Sequence, residues 1–162
     1  MLEWLETVNS KLSRWGAYIS STLFVLLVIL IMTEIIGRSF FDYSTMLADE
    51  YSGYFYLAAV FFGLAFTFNE EGHIRINIIT ARLSDEKRRY VDIFAGILNT
   101  FVLVFVLYYC WLFMVDSKEM EMLSENVSET PLYLTQIPMP IGITLFIIAA
   151  CVFTYKRICD DS

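Results

Sequence analysis

The sequence predicts an all-α membrane protein with four transmembrane helices in a single domain covering residues 1–162. Of the 162 residues, 57% are hydrophobic and only 18% are charged, which is more apolar than an ordinary soluble domain. Four runs carry no charge over lengths that suit a bilayer crossing, for which about 20 mainly apolar residues are needed. These runs are residues 15–33, 51–69, 93–115 and 130–155. The predicted spans cover residues 15–36, 51–69, 91–115 and 134–155.

Basic residues are distributed unequally between the segments that connect these runs. The N-terminal segment, the middle loop and the C-terminal tail carry Lys11, Arg14, Arg75, Arg82, Lys87, Arg88, Arg89, Lys156 and Arg157. The other two loops carry only Arg38 and Lys118. The positive-inside rule therefore places both termini and the middle loop in the cytoplasm. This assignment requires an even number of crossings, which supports four spans.

An amphipathic helix is predicted before the first span. Its apolar stripe recurs at helical spacing and consists of Leu2, Leu5, Val8, Leu12 and Trp15. This pattern favours a helix that lies in the cytoplasmic interface and then turns into the bilayer. The alternative is a plain extension of the first span into water.

Two features are predicted between the third and fourth spans. A short helix is expected from about Asp116 to Leu123. Three prolines then mark the start of the fourth span, namely Pro131, Pro138 and Pro140. Because proline lacks an N–H and kinks a helix away from its first turn, the fourth span is expected to begin with a bent or broken turn.

The chain lacks the residues that most cofactor sites need. His73 is its only histidine, which excludes a bis-histidine haem within one chain and disfavours a zinc site on ligand count. The three cysteines are dispersed, and no glycine-rich phosphate loop or basic face for nucleic acid is present. We therefore expect no cofactor, no metal, no nucleic-acid partner and no enzyme activity.

Polar residues at the outer ends of the first two spans are the first functional candidates. Glu34 lies in the last turn of its run, and Arg38 follows four residues later, so both can share one helix face. The spacing favours a local ion pair over a proton or substrate site. Asp49 and Glu50 open the second span, where negative charge suits a helix N-terminus. They are also expected to pair with Arg38 across the short loop.

The second span and the segment after it supply the remaining candidates. Ala59 and Gly63 form a small-xxx-small pair that permits close helix contact. His73 and Arg75 follow the span on the cytoplasmic side, where they are expected to contact lipid headgroups or a partner protein. Apart from Glu34 and the edge residue Asp92, the predicted spans contain no charge. Transporters usually hold substrate with polar groups near the midplane, so these features indicate a scaffold or accessory subunit.

The order of these motifs resembles the small, Q-type membrane subunit of tripartite ATP-independent periplasmic (TRAP) transporters. The matching segments are R-S-F-F at 38–41, D-E-Y at 49–51, Gly63 and G-H-I-R-I at 72–76. The family often has aspartate at the position of Asn77. Four spans with cytoplasmic termini also match. The resemblance covers residues 34–79 in its motifs and the rest of the chain in hydropathy.

The resemblance implies a role without catalysis in the bacterial inner membrane. The small subunit would bind a large multi-span subunit that carries the sodium and substrate sites, and would scaffold it among the membrane lipids. A soluble periplasmic protein would deliver an organic acid such as a C4-dicarboxylate or a sialic acid. Glu34, Arg38, Asp49, Glu50, Ala59, Gly63, His73 and Arg75 would then be structural or subunit-interface residues.

A second function remains open from the residues alone. A small multidrug-resistance-like, proton-coupled antiporter also has four helices and an acidic residue in the first. That function would require Glu34 at mid-depth, whereas its position is near the span end.

Overall fold

The structure is a computed structural model that describes residues 2–71, 85–126 and 128–159. Within these ranges the chain forms five helices. They are α1 (Leu2–Phe41), α2 (Ala48–Glu71), α3 (Asp85–Glu119), α4 (Leu132–Gln136) and α5 (Pro138–Cys159). The described residues contain no β-strand, only an isolated bridge between Leu123 and Pro131.

Four segments are long and apolar enough to cross a membrane, which confirms the predicted fold class. They are Trp4–Phe41, Ala48–Glu70, Arg89–Glu119 and Leu132–Cys159, so that α4 and α5 together form the fourth. Each contains one of the four uncharged runs almost entirely. The first three segments extend beyond their runs at both ends, and the fourth extends beyond its run only at the C-terminal end.

The N-terminal segment is helical, as predicted, but it is continuous with the first span. Helix α1 runs for 40 residues without a break, a length of about 60 Å, against a hydrocarbon thickness of roughly 30 Å. The predicted turn between residues 2–15 and the span is wrong, because the helical hydrogen bonds continue without interruption. The interfacial position of this segment stays a prediction.

The predicted short helix from Asp116 to Leu123 is wrong beyond Glu119. Helix α3 continues through Asp116 and then ends in a Schellman arrangement. The Met122 N–H donates to the Ser117 carbonyl at 3.0 Å, and the Glu121 N–H donates to the Lys118 carbonyl at 3.2 Å. Glu121 has a left-handed φ of 49°, which turns the chain away from the helix axis.

The predicted broken start of the fourth span is confirmed. Helix α4 ends at Gln136 and α5 begins at Pro138, and Ile137 between them keeps helical dihedral angles, with φ of −51° and ψ of −40°, so the interruption lies in the hydrogen bonds. Neither Pro138 nor Pro140 has an N–H to donate to the carbonyl four residues earlier, so the helical hydrogen bonds lapse there.

The packing of the helices is uneven. Helix α2 packs against both α1 and α5, whereas α3 packs mainly against α5. The core cluster is formed by Leu103 of α3 with Ile143 and Ala150 of α5. Two glycines allow especially close approach to α2. A Cβ on Gly16 would lie 2.6 Å from the Phe62 carbonyl oxygen, and a Cβ on Gly142 would overlap the Phe61 carbonyl.

The molecule has two distinct ends. The loop end contains the α1–α2 loop (42–47) and the α3–α4 connection (120–131). The connection contacts the first turn of α2, where Ser128 donates a hydrogen bond to Glu50 at 2.7 Å. The terminal end contains the start of α1 and the last turn of α5, joined by an ion pair of 2.9 Å between Glu6 and Lys156. Both described ends of the chain thus lie on one side, as an even number of crossings requires.

Candidate functional site

Glu34 is the centre of the polar contacts at the loop end. Its side chain is only 8% exposed, and both carboxylate oxygens accept hydrogen bonds. Oε1 accepts from Arg38 Nε at 2.9 Å and from Ser44 Oγ at 2.6 Å. Oε2 accepts from the Thr45 hydroxyl at 2.6 Å and the Thr45 N–H at 3.3 Å. Glu34 therefore joins the last turn of α1 to the loop that follows it.

The loop that Glu34 holds has an unusual backbone. Asp42 and Met46 both lie in the left-handed region, with φ of 51° and 55°. A non-glycine residue adopts this conformation only when neighbouring contacts fix it. The hydroxyls of Ser44 and Thr45 also accept from the backbone N–H groups of Met46 and Leu47, both at 3.3 Å, just before α2 begins. The carboxylate and these two hydroxyls together set the path from α1 into α2.

Arg38 connects Glu34 to the start of α2. Besides its bond to Glu34, it places Nη2 3.4 Å from Asp49 Oδ2. The structure thus contains the predicted Glu34–Arg38 pair and the predicted Arg38–Asp49 contact. The Asp49 side chain is 81% exposed, so this second contact is weak.

Glu50 does not pair with Arg38 and instead joins α2 to the α3–α4 connection. It is buried and accepts hydrogen bonds from Tyr54 OH and Ser128 Oγ, each at 2.7 Å. Thr130 Oγ1 lies 2.7 Å from Ser128 Oγ and 3.1 Å from Tyr51 OH. The two neighbouring acidic residues therefore differ, because Glu50 is an internal acceptor whereas Asp49 faces outward.

Sequence reasoning did not find the hydroxyl partners of these carboxylates. Ser44 and Thr45 lie four and three residues before α2, in a loop where hydroxyl residues often accept from N–H groups two positions on, and this signal could have found them. Thr130 also lies shortly before a helix, α4, but no local signal indicates that Ser128 and Thr130 contact residues of α2. Their role depends on a contact between residues 78 positions apart in the chain.

The small-residue pair of the second span is used inside the chain. Ser20 of α1 donates to the Ala59 carbonyl at 2.6 Å, and a Cβ on Gly63 would lie 3.1 Å from Ser20 Oγ. Ala59 is buried in the same contact. This face of α2 therefore meets α1. His73 and Arg75 lie outside the described residues.

The terminal end is held by a chain of amides and hydroxyls and by ion pairs. Asn9 Nδ2 donates to Asn69 Oδ1 at 3.2 Å, and Asn69 Nδ2 donates to Ser13 Oγ at 2.6 Å. Asp92 lies 3.4 Å from Arg157 Nε. Arg89 donates to the carbonyls of Arg157 and Ile158 at 3.1 Å and 2.7 Å, so that α3 caps the C-terminus of α5.

The chemistry of the loop end is that of a structural network. Among the described residues, no group of three or more His, Cys, Asp or Glu is placed to hold a metal ion. The Glu34 oxygens are engaged by donors at the end of α1, which does not favour the antiporter alternative. The network positions two loops relative to three helices.

Comparison with known proteins agrees with the resemblance seen in the motifs. A family model described as "Tripartite ATP-independent periplasmic transporters, DctQ component" matches residues 27–160. The chain is also similar to a Haemophilus influenzae protein described as "Putative TRAP transporter small permease protein". The two are 22% identical over 143 residues, which cover 88% of this chain and 87% of the relative. The matched residues include the whole loop-end network.

Proposed function

The chain belongs to the DctQ component family of TRAP transporters, and from this premise we propose that it is a non-catalytic scaffold for the large transport subunit. The complex would import an organic acid such as a C4-dicarboxylate or a sialic acid, coupled to sodium. A periplasmic binding protein would deliver the substrate. The chain would lie in the bacterial inner membrane with both termini in the cytoplasm.

The observation that carries this proposal is the distribution of charge along the spans. Every charged side chain of the described residues lies near one of the two ends, and the stretches between them are apolar. The polar clefts of the described structure also lie at these ends, whereas the groove between α3 and α5 is lined by apolar residues such as Trp111 and Ile141. A solute crossing this chain alone would meet no charged group at mid-depth and only scattered uncharged polar groups, such as Ser20 and Asn99, to replace its water.

The outer surface of the helices supports a partner in the membrane. Large apolar side chains are exposed along the whole length of α3, among them Phe94, Phe101, Phe105 and Trp111. Exposed apolar surface in a span contacts lipid or another membrane chain. The polar networks at both ends join helices of this chain to one another. Such a chain can enlarge the immobile scaffold of a transporter while the transport domain of the large subunit moves against it.

Reconstitution in liposomes tests which membrane subunit transports the substrate and whether this chain is required for uptake. Liposomes would receive this chain alone, the large subunit alone, or both, with the binding protein and labelled substrate outside and a sodium gradient. We expect sodium-dependent uptake only when both membrane subunits are present, and copurification of the two. Uptake by this chain alone, or full uptake by the large subunit without it, would refute the proposal.

The orientation has its own test. Cys159 is exposed at the end of α5, so it serves as a natural reporter of the terminal end once Cys110 and Cys151 are replaced by serine. A second variant carries Glu125→Cys at the loop end in a background without Cys159. In intact cells an impermeant maleimide should label position 125 and spare Cys159. The reverse pattern would overturn the assigned topology.

A further inference from the structure

A polar cleft opens at the terminal end between α1, α2 and α5. Its volume is about 530 Å³, and its wall includes the basic side chains of Arg14, Lys156 and Arg157. The acidic residues Glu6 and Glu70 line it as well. Apolar wall is supplied by Phe66 of α2 and Val152 and Phe153 of α5. The cleft thus combines a positively charged rim with apolar surface.

The cations of the cleft differ in how far they are already engaged. Lys156 pairs with Glu6 at 2.9 Å, and Arg157 lies 3.4 Å from Asp92 while stacking 5.4 Å from the centre of the Phe153 ring. Among the described residues, no carboxylate lies within ion-pair distance of Arg14. Glu6 and Asp92 thus already offset the charges of Lys156 and Arg157, and Arg14 is the cation of the cleft that stays available to a ligand.

The cleft lies at the depth of the lipid headgroups. Arg14 directly precedes the first uncharged run, and Lys156 and Arg157 directly follow the fourth. Trp15 and Tyr18, beside Arg14 on α1, are both well exposed and lie edge to face. Exposed tryptophan and tyrosine are typical of the membrane–water interface. The basic rim therefore lies where phospholipid phosphates are found, and the apolar wall points along the acyl region.

We propose that this cleft binds the phosphate headgroup of an anionic phospholipid from the leaflet at the terminal end. The guanidinium of Arg14 and the ammonium of Lys156 would donate to the phosphate oxygens, since basic pockets between membrane helices suit such groups. The glycerol backbone and the first acyl carbons would contact Phe66 and Val152. The bound lipid would occupy a gap that side chains leave open between three helices.

Native mass spectrometry of the full chain in detergent tests this site with defined probes. The protein is titrated with phosphatidylglycerol or with phosphatidylcholine of the same acyl chains, and the first bound lipid is quantified. A cation near an anionic headgroup contributes about 1 kcal/mol, which corresponds to a roughly fivefold higher affinity for the anionic lipid than for the zwitterionic one. We expect the wild-type chain to bind phosphatidylglycerol about fivefold more tightly, and Arg14→Gln to lower the ratio to about one.

Three controls distinguish binding in this cleft from a general attraction between anionic lipid and surface cations. Lys11→Gln removes an exposed cation at the same end that does not line the cleft, and it should leave the preference unchanged. Arg14→Lys keeps the charge and should retain the preference, and unfolding temperatures should be equal for all variants. Inorganic phosphate at the lipid concentration should not displace the lipid. No preference in the wild type, an equal loss in Lys11→Gln, or displacement by free phosphate would overturn the proposal.

Discussion

Helices α2 and α3 are both long and apolar, yet they pack in opposite ways. Helix α2 lies against α1 and α5, and its buried residues are small, namely Ala58, Ala59 and Ala65, with Phe61 and Phe68 partly buried beside them. Helix α3 lies mainly against α5 and directs aromatic side chains such as Phe101 and Phe105 outward. Lipid is as apolar as these side chains, so hydrophobicity does not decide which helices meet. Side-chain size decides it instead, because small residues let two backbones approach.

The largest expected effect is on the one face of α3 that is packed. Leu103 is buried against α5, whereas Phe101, two residues earlier on the same helix, is exposed. Leu103→Ala should lower the free energy of unfolding by about 2–5 kcal/mol, because a cavity replaces its contacts. Phe101→Ala should leave the unfolding temperature in detergent unchanged. Equal losses would show that α3 has no preferred face.

The next effect tests the close contact of α2 with α5. A Cβ at Gly142 would overlap the Phe61 carbonyl, so Gly142→Ala should cost about 1–3 kcal/mol through forced separation of the two helices. Thermal unfolding in detergent measures it. Gly53→Ala on α2 is the matched control, since no atom lies within 4 Å of its added Cβ. The control should be neutral or slightly stabilising, and a loss as large as that of Gly142→Ala would contradict this packing.

A smaller effect is expected where α2 begins. Glu34→Gln removes the negative charge to which four hydrogen bonds are donated. The amide nitrogen of glutamine cannot accept in place of the second carboxylate oxygen, so the unfolding temperature should fall by several degrees. Asp49→Asn, which changes an exposed acid in the same network, should shift it by no more than about 1 °C. If the two variants behaved alike, the loop end would not depend on burial of the carboxylate.

The smallest expected loss concerns the attachment of α3 to α5. Arg89→Gln removes the guanidinium that donates to the carbonyls of Arg157 and Ile158 at the C-terminal end of α5. The free energy of unfolding should fall by about 1 kcal/mol. Lys118→Gln, at the exposed opposite end of α3, should be neutral. Hydrogen exchange over residues 155–159 would show faster opening in the first variant alone. Unchanged exchange in Arg89→Gln would mean that α3 does not hold the end of α5.

Local signals in the sequence predicted the elements and part of the site. Uncharged runs located the four spans, the i,i+4 spacing predicted the Glu34–Arg38 pair, and the missing N–H of proline predicted the break before Pro138. The error at residues 120–123 has a local cause as well. Helix α3 ends at a left-handed Glu121, and glutamate, unlike glycine, gives no warning of that conformation.

Contacts between distant residues were beyond sequence reasoning. Glu50 could be placed at a helix start, but its bond to Ser128 depends on how the α3–α4 connection packs against the start of α2. The second span has the lowest mean hydropathy of the four, 1.4 against 2.1–2.5, and the Ala59–Gly63 pair predicted a close contact there, but neither signal identified α1 and α5 as its neighbours.

The unbroken course of α1 has a mechanical consequence. Residues 2–15 share one axis with the first span, so the angle of the N-terminal segment to the membrane plane and the tilt of the span change together. Gly16 lies in close contact with α2, which would lean with it. A lipid surface or a protein that pulls the N-terminal apolar stripe toward the membrane plane would therefore tilt the first span and the helices packed against it.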